Sequence, residues 1–278
     1  MAFRRRRKKR DKRRFRGVYL LPNLITTGSL FAGFYAIVAA MDGRFHAAAI
    51  AILVSLVLDG LDGRVARMTK STSDFGVQYD SLADLVSFGV APGILVYLWA
   101  LQPYHQFGWV AAFLFVVCGA LRLARFNVQQ GAFDPRYFNG LPIPAAATMI
   151  ATAIIFYYEI GEWAPERHVF ILAMIYLLSF LMVSNVKYVS FKKMDLFQRH
   201  PFHSLVAVVL VFVVVATAPN IMGFLLLAAY VASGPISTIM YHRRSVLSDK
   251  DESEPPTSKL VNSQGLNPGP GEEVRKQA

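Results

Sequence analysis

Apolar residues in this chain gather in long blocks rather than at the alternating or three-to-four-residue spacing of half-buried elements. Blocks of span length fall at about 20–41, 47–66, 81–102, 107–126, 142–158, 168–187, 203–218 and 220–241. A membrane-crossing helix needs roughly 20 mostly apolar residues. A helix also satisfies its own backbone polar groups where no water is present. The pattern predicts an all-α integral membrane protein, a polytopic bundle of about eight transmembrane helices. The two runs either side of Pro219 also admit one broken helix pair. An arm, 1–19, precedes the membrane domain of 20–242, and a tail, 243–278, follows it.

Composition agrees with this reading. The chain is 54% hydrophobic and 17% charged, where a soluble domain carries about a quarter charged residues. Cations then set the orientation, because Lys and Arg collect in cytoplasmic loops. One set of loops holds Arg64, Arg67 and Lys70, then Arg122, Arg125 and Arg136, then Lys187, Lys192, Lys193 and Arg199, then Arg243 and Arg244. The opposite loops, at 41–46, 102–106, 159–168 and 218–220, are short and poor in cations. This alternation predicts a protein of the cytoplasmic (inner) membrane with both termini in the cytoplasm.

The first sixteen residues contain eleven Lys or Arg and one acid, Asp11, which accounts for much of the net charge of +11. The apolar run that follows is full span length and lacks a cleavage site of small residues, so it reads as an uncleaved first helix rather than a signal peptide. The basic arm is expected on anionic headgroups, each cation contributing about 1 kcal/mol near the surface. No nucleic-acid partner is expected, since the arm offers only Phe3 and Phe15 for stacking and is tethered to a membrane helix. The tail becomes rich in Pro, Gly, Ser and charge from about Ser248 and is expected to be disordered in the cytoplasm. Cys118, inside an apolar run, reads as a core residue.

Against this apolar ground the stretch 59–84, DGLDGRVARMTKSTSDFGVQYDSLAD, places Asp59, Asp62, Asp80 and Asp84 at the cytoplasmic face. Ionised carboxylates at membrane depth cost several kcal/mol each unless paired, hydrated or bound to cations. Asp59 and Asp62 are three apart, and Asp80 and Asp84 four apart, so each pair shares a helical face. Two such helices side by side would bring four carboxylates together. Hard oxygen ligands with no Cys or His suit Mg²⁺, Mn²⁺ or Ca²⁺ rather than zinc. Two such ions a few ångströms apart are a known device for phosphoryl transfer. Gly60, Gly63 and Ala66 keep one helix face bare, either for a ligand or for ordinary helix packing. Arg67 reads either as a phosphate fork or as a cytoplasmic anchor. His200 and His203 flank Pro201 and read as solvated loop residues before they read as ligands.

Taken together the stretch fits D-x2-D-G-x2-A-R-x8-G-x3-D-x3-D through Asp59, Asp62, Gly63, Ala66, Arg67, Gly76, Asp80 and Asp84. That pattern resembles the CDP-alcohol phosphotransferase family. The resemblance implies a membrane enzyme that moves a phosphatidyl-type group from a CDP-linked donor to an alcohol with release of CMP. It implies a six-helix core, to which this chain would add two helices, and a catalytic role for 20–242. It further implies that Asp59, Asp62 and Asp80 ligate metal, two ions of Mg²⁺ or Mn²⁺. Asp84 would be the base and would also touch metal, with Gly63, Ala66, Arg67 and Gly76 along the CDP moiety. A homodimer is also implied.

Three more segments, LPNLITTGSLFAGFYAI at 21–37, GALRLARFN at 119–127 with GLPIPAAA at 140–147, and VSNVKY at 183–188, resemble the phosphatidylserine synthase branch of that family. This points to CDP-diacylglycerol as donor and L-serine as acceptor. A zwitterionic acceptor needs a cation and polar acceptors. Arg122, Arg125, Asn127, Asn185 and Lys187 are the candidates, with snorkelling anchorage the alternative for Arg125 and Lys187. Asn23 either caps the first helix or touches the donor. Glycerol 3-phosphate and inositol phosphate are the competing acceptors. A cation transporter is the reading from another class, but it predicts acids spread across spans and internal repeats, and here the acids sit at one face with no repeat evident.

Overall fold

The computed structural model describes residues 20–69, 73–128, 137–161, 169–189, 218–219 and 221–236. The first helix, α1 (Leu20–Met41), turns through Asp42–Arg44 into α2 (Phe45–Thr69). Gly43 takes the positive φ of 74° that this tight reversal requires. Small residues let the pair approach closely: Ala32, Gly33, Ala36 and Ala39 on α1 are buried, as are Ala48, Ala49, Ile52 and Ser55 on α2. Buried hydroxyls stitch the crossing. Ser29 and Ser55 lie 2.8 Å apart, and Ser87 donates to the Ser29 carbonyl at 3.2 Å.

Asp74–Val128 is a 55-residue helical run that holds two of the expected spans. It starts as α3 (Asp74–Asp84), capped by Ser73, whose side chain accepts from the Gly76 amide. A π turn (Leu85–Val90) leads into α4 (Ala91–Val96), where Pro92 has no N–H to give the carbonyl one turn back. A second π turn (Tyr97–Leu101) and a 3₁₀ turn (Gln102–Tyr104) then reverse the chain into α5 (His105–Val128). His105 adopts φ 47° at the corner. A Cβ on Gly108 would lie 2.0 Å from the Leu101 carbonyl oxygen, so only glycine fits there.

A short strand β1 (Tyr137–Asn139) precedes α6 (Ile143–Ile160), α7 (Val169–Val183) is followed by β2 (Lys187–Val189), and α8 (Ile221–Ile236) closes the described part. β1 and β2 pair antiparallel, with Tyr137 opposite Val189 and Asn139 opposite Lys187. This small ladder joins two connections and leaves the all-α class of the bundle intact; three residues per strand are too few to leave a periodic trace in sequence. Gly140, at φ 80°, packs so tightly that a Cβ would meet the Met182 carbonyl at 2.4 Å.

Among the described residues, four helical runs are long and apolar enough to cross a membrane: α1, α2, the Asp74–Val128 run and α6. α7 and α8 are shorter apolar helices. α7 ends at Val183, short of the expected 187, because the chain turns there towards β2. The run expected at 203–218 lies outside the described residues, as do the arm at 1–19, the tail, His200 and His203. Phe88, Phe115, Ile150, Ile154, Ile175 and Leu178 are the large side chains of the common core, and Cys118 is buried beside them as expected.

Candidate metal and substrate site

The aspartates meet at one end of the bundle. Asp59 and Asp62 project from the second half of α2, Asp80 and Asp84 from α3. One oxygen from each of Asp59, Asp62 and Asp80 lies within 4.8 Å of the others. Asp84, one turn farther along α3, brings its carboxyl within hydrogen-bonding reach of Asp59. The expected face-to-face pairing of the two helices takes a different form, since both lean on α1 as their close backbone partner rather than on each other. The carboxylates bridge the space between them.

This set fits a hard divalent cation. Asp80 keeps one buried carboxylate oxygen with no hydrogen-bond partner, an acceptor left open where burial penalises it. Three ionised carboxylates at this separation repel strongly in a low-dielectric setting unless a cation offsets them. Asp62, only 5% exposed, is fixed by a 2.7 Å hydrogen bond from the Thr26 hydroxyl of α1, itself 5% exposed. A ligand oriented by a partner of this kind is the usual arrangement around protein-bound metals.

A cavity of about 210 Å³ opens beside the carboxylates, with Asp62 and Asp80 in its wall. Its lining includes every residue expected along the donor: Asn23, Gly63, Ala66, Arg67 and Gly76, joined by Pro22, Thr26, Ser73 and Val77. The bare face of α2 is open rather than packed, for a Cβ on Gly60 or Gly63 would meet nothing within 4 Å. Gly63 of the two lines the cavity. Gly76 is bare for a closer reason, since a Cβ there would lie 3.1 Å from the Ser73 hydroxyl and 3.4 Å from the Asn23 side chain. Asn23 sits in the first turn of α1 with its side chain at the cavity, and Arg67 is exposed in the last turn of α2.

The expected acceptor residues separate. Arg122 has Asp84 as an electrostatic neighbour, and its Nε is buried without a hydrogen-bond partner among the described residues. Arg125 instead donates to the Asn185 side chain at 2.9 Å on the exposed surface, so these two engage each other. Asn127 donates to the Ser81 hydroxyl at 2.9 Å, tying the end of α5 to α3. The Lys187 backbone belongs to β2. Thr26 and Ser73 escaped the sequence reading. Thr26 lies inside a quoted segment, but a threonine in an apolar helix ordinarily bonds its own backbone, and only the fold brings Asp62 to it.

A family model described as CDP-alcohol phosphatidyltransferase matches residues 19–181. The chain is 44% identical over 178 residues to a CDP-diacylglycerol–serine O-phosphatidyltransferase of Helicobacter pylori, covering 63% of this chain and 74% of that protein. It is 34% identical over 232 residues to the protein of the same description from Mycobacterium tuberculosis, covering 80% of each. An archaetidylserine synthase of Methanothermobacter thermautotrophicus is 38% identical over 170 residues, 60% of this chain and 69% of that protein. The matched segment 19–181 contains all four aspartates and all the residues expected along the donor.

Proposed function

The chain belongs to the CDP-alcohol phosphatidyltransferase family, and from that premise we propose that it is a CDP-diacylglycerol–serine O-phosphatidyltransferase. It transfers the phosphatidyl group of CDP-diacylglycerol to the hydroxyl of L-serine and releases CMP. The observation that carries this reading is the juxtaposition of the Asp59, Asp62 and Asp80 oxygens with a cavity walled by Asn23, Gly63, Ala66, Arg67 and Gly76.

In this reading Asp59, Asp62 and Asp80 hold divalent metal, with Asp84 reaching it from the next turn of α3. Two ions, Mg²⁺ or Mn²⁺, would offset the charge of the donor diphosphate and of the transition state. The cytidine side of the donor lies along Gly63 and Ala66, where the absence of side chains lets it approach backbone. Arg67 meets a phosphate oxygen with its fork of donors. Asp84 stands apart from the cavity wall and has Arg122 as an electrostatic neighbour, a position suited to the acceptor. It takes the proton of the acceptor hydroxyl as that oxygen bonds to the lipid-bearing phosphorus; the bond from phosphorus to the CMP oxygen breaks, and CMP leaves. Placing both reactants in one geometry supplies much of the acceleration.

Serine is favoured over the phosphate-bearing acceptors because Arg122, whose Nε is buried with no partner among the described residues, is the cation electrostatically coupled to Asp84, while Arg125 is engaged with Asn185. One cation balances one carboxylate. A dianionic acceptor calls for more. The distribution of Lys and Arg supports a site at the cytoplasmic face of the inner membrane, with both termini cytoplasmic. The basic arm sits on anionic lipid, and the chain acts as a homodimer. Deleting residues 1–16 tests the arm, since dependence on anionic lipid should weaken.

The deciding assay is CMP release from CDP-diacylglycerol by the purified full chain with Mn²⁺ or Mg²⁺, comparing L-serine, glycerol 3-phosphate and inositol phosphate. Serine-dependent release that is lost on chelation and in Asp84→Asn is expected. Release driven by either phosphate-bearing acceptor instead of serine would overturn the acceptor assignment.

A further inference from the structure

Ser29, Ser55 and Ser87 are buried where α1, α2 and the π turn after α3 meet, at 3%, 0% and 0% exposure. The hydroxyl oxygens of Ser29 and Ser55 lie 2.8 Å apart. The Ser29 hydroxyl also reaches the Ser55 carbonyl at 3.1 Å, and the Ser55 hydroxyl reaches the Ser29 carbonyl at 3.0 Å. Ser87 donates to that same Ser29 carbonyl at 3.2 Å. Gly33 lets the π turn close on α1, since a Cβ there would lie 2.7 Å from the Ser87 Cα. Hydroxyls from two segments thus converge on one carbonyl of a third.

Each serine stands about one helical turn from a residue of the carboxylate cluster. Ser29 follows Thr26 by three positions, Ser55 precedes Asp59 by four and Ser87 follows Asp84 by three, or about 5 Å along each axis. The carboxylates of α2 and α3 repel when ionised and without a cation between them. Both helices lean on α1 rather than on each other, so their separation depends on how firmly α1 holds each one. Apolar packing gives little drive to helix association in a membrane, whereas hydroxyl bonds between helices are directional. We infer that Ser29, Ser55 and Ser87 are positioning residues that hold α2 and α3 to α1 at the spacing a divalent cation requires. The ion then enters an assembled site and does not have to draw the helices together. This inference rests on the proposed metal site. All three serines fall outside the 59–84 aspartate pattern and outside the cavity wall.

The test compares wild type, Ser55→Ala, Ser87→Ala and Ser179→Ala, each as full chain in detergent. Ser179 is the control: it is equally buried, but its hydroxyl bonds the Ile175 carbonyl of its own helix α7 at 2.7 Å. Mn²⁺ affinity is read by isothermal titration without substrate, beside the Mn²⁺ dependence of CMP release and the thermal midpoint. Loss of one hydroxyl bond between helices should weaken Mn²⁺ binding about three- to tenfold in Ser55→Ala and in Ser87→Ala. Ser179→Ala should bind as wild type does. Saturating Mn²⁺ should restore turnover in both variants, because the bound ion selects the assembled state. Ser55→Cys and Ser87→Cys keep the volume with a weaker donor and should also bind less tightly than wild type. Wild-type affinity in either alanine variant, an equal loss in Ser179→Ala, or turnover that saturating Mn²⁺ does not restore would each overturn the inference. The wild-type titration separates the two claims. Absence of Mn²⁺ binding there refutes the proposed metal site and this role with it, whereas wild-type affinity in the serine variants refutes this role alone.

Discussion

Thr26→Val removes one hydroxyl and keeps the side-chain volume. In the folded chain that hydroxyl donates a 2.7 Å hydrogen bond to Asp62, with both residues at 5% exposure. The bond is charge-assisted and joins two little-exposed residues at the wall of the cavity. Hydrogen bonds to charged groups contribute about 1.5–3 kcal/mol. At about 1.4 kcal/mol per decade this becomes roughly a 10- to 100-fold loss in an equilibrium that needs Asp62 in place, the range found for residues that orient metal ligands. The expected outcome is a Mn²⁺ affinity lowered by that factor, read by isothermal titration without substrate and, independently, by the Mn²⁺ dependence of CMP release. Thr26→Ser keeps the donor and should stay close to wild type. The KM for serine should not move at saturating Mn²⁺, because Thr26 lies on the α1 side of the site and Arg122 on α5. A Thr26→Val protein that binds Mn²⁺ as tightly as wild type, while Asp62→Asn does not bind it, would refute the orienting role.

Gly63→Leu places a side chain where a Cβ now meets nothing within 4 Å. It should leave the thermal midpoint level or slightly higher, since leucine favours helix over glycine by about 1 kcal/mol. The KM for CDP-diacylglycerol should rise about tenfold or more as the cavity fills, and an unchanged donor KM would remove Gly63 from the donor site. Gly33→Ala puts a Cβ 2.4 Å from the Ser87 hydroxyl oxygen and 2.7 Å from the Ser87 Cα. Backbone must move there, so denaturation should show a loss of about 1–3 kcal/mol; a stability equal to wild type would contradict the close α1 crossing. Arg125→Ala breaks only an exposed bond to Asn185. Its serine KM should stay within about twofold, because such a bond contributes about 1 kcal/mol and lies away from Asp84; a large rise would return Arg125 to the acceptor site.

Hydrophobic patterning alone is enough to read a helical membrane protein with an acidic cluster at the ends of two helices. Span length and the cost of charge in an apolar block are local properties, and a run such as 20–41 emerges as Leu20–Met41 without help from distant residues. Spacings of three and four put each aspartate pair on one helical face wherever the helix packs, and the pattern they form with Gly63, Ala66, Arg67 and Gly76 is legible in one dimension. Tertiary structure decided what lies opposite those faces. Gly60 and Gly63 look alike in sequence, yet in the fold only Gly63 of the two lines the cavity. Arg122 and Arg125, three residues apart and alike in sequence, part because one has its Nε buried and the other meets Asn185 sixty positions away. Thr26 is an ordinary member of an apolar helix, 36 positions from Asp62. Its hydrogen bond to Asp62 comes from a contact between helices, and hydrophobic periodicity records only that a face is buried, not which polar group waits on the other side.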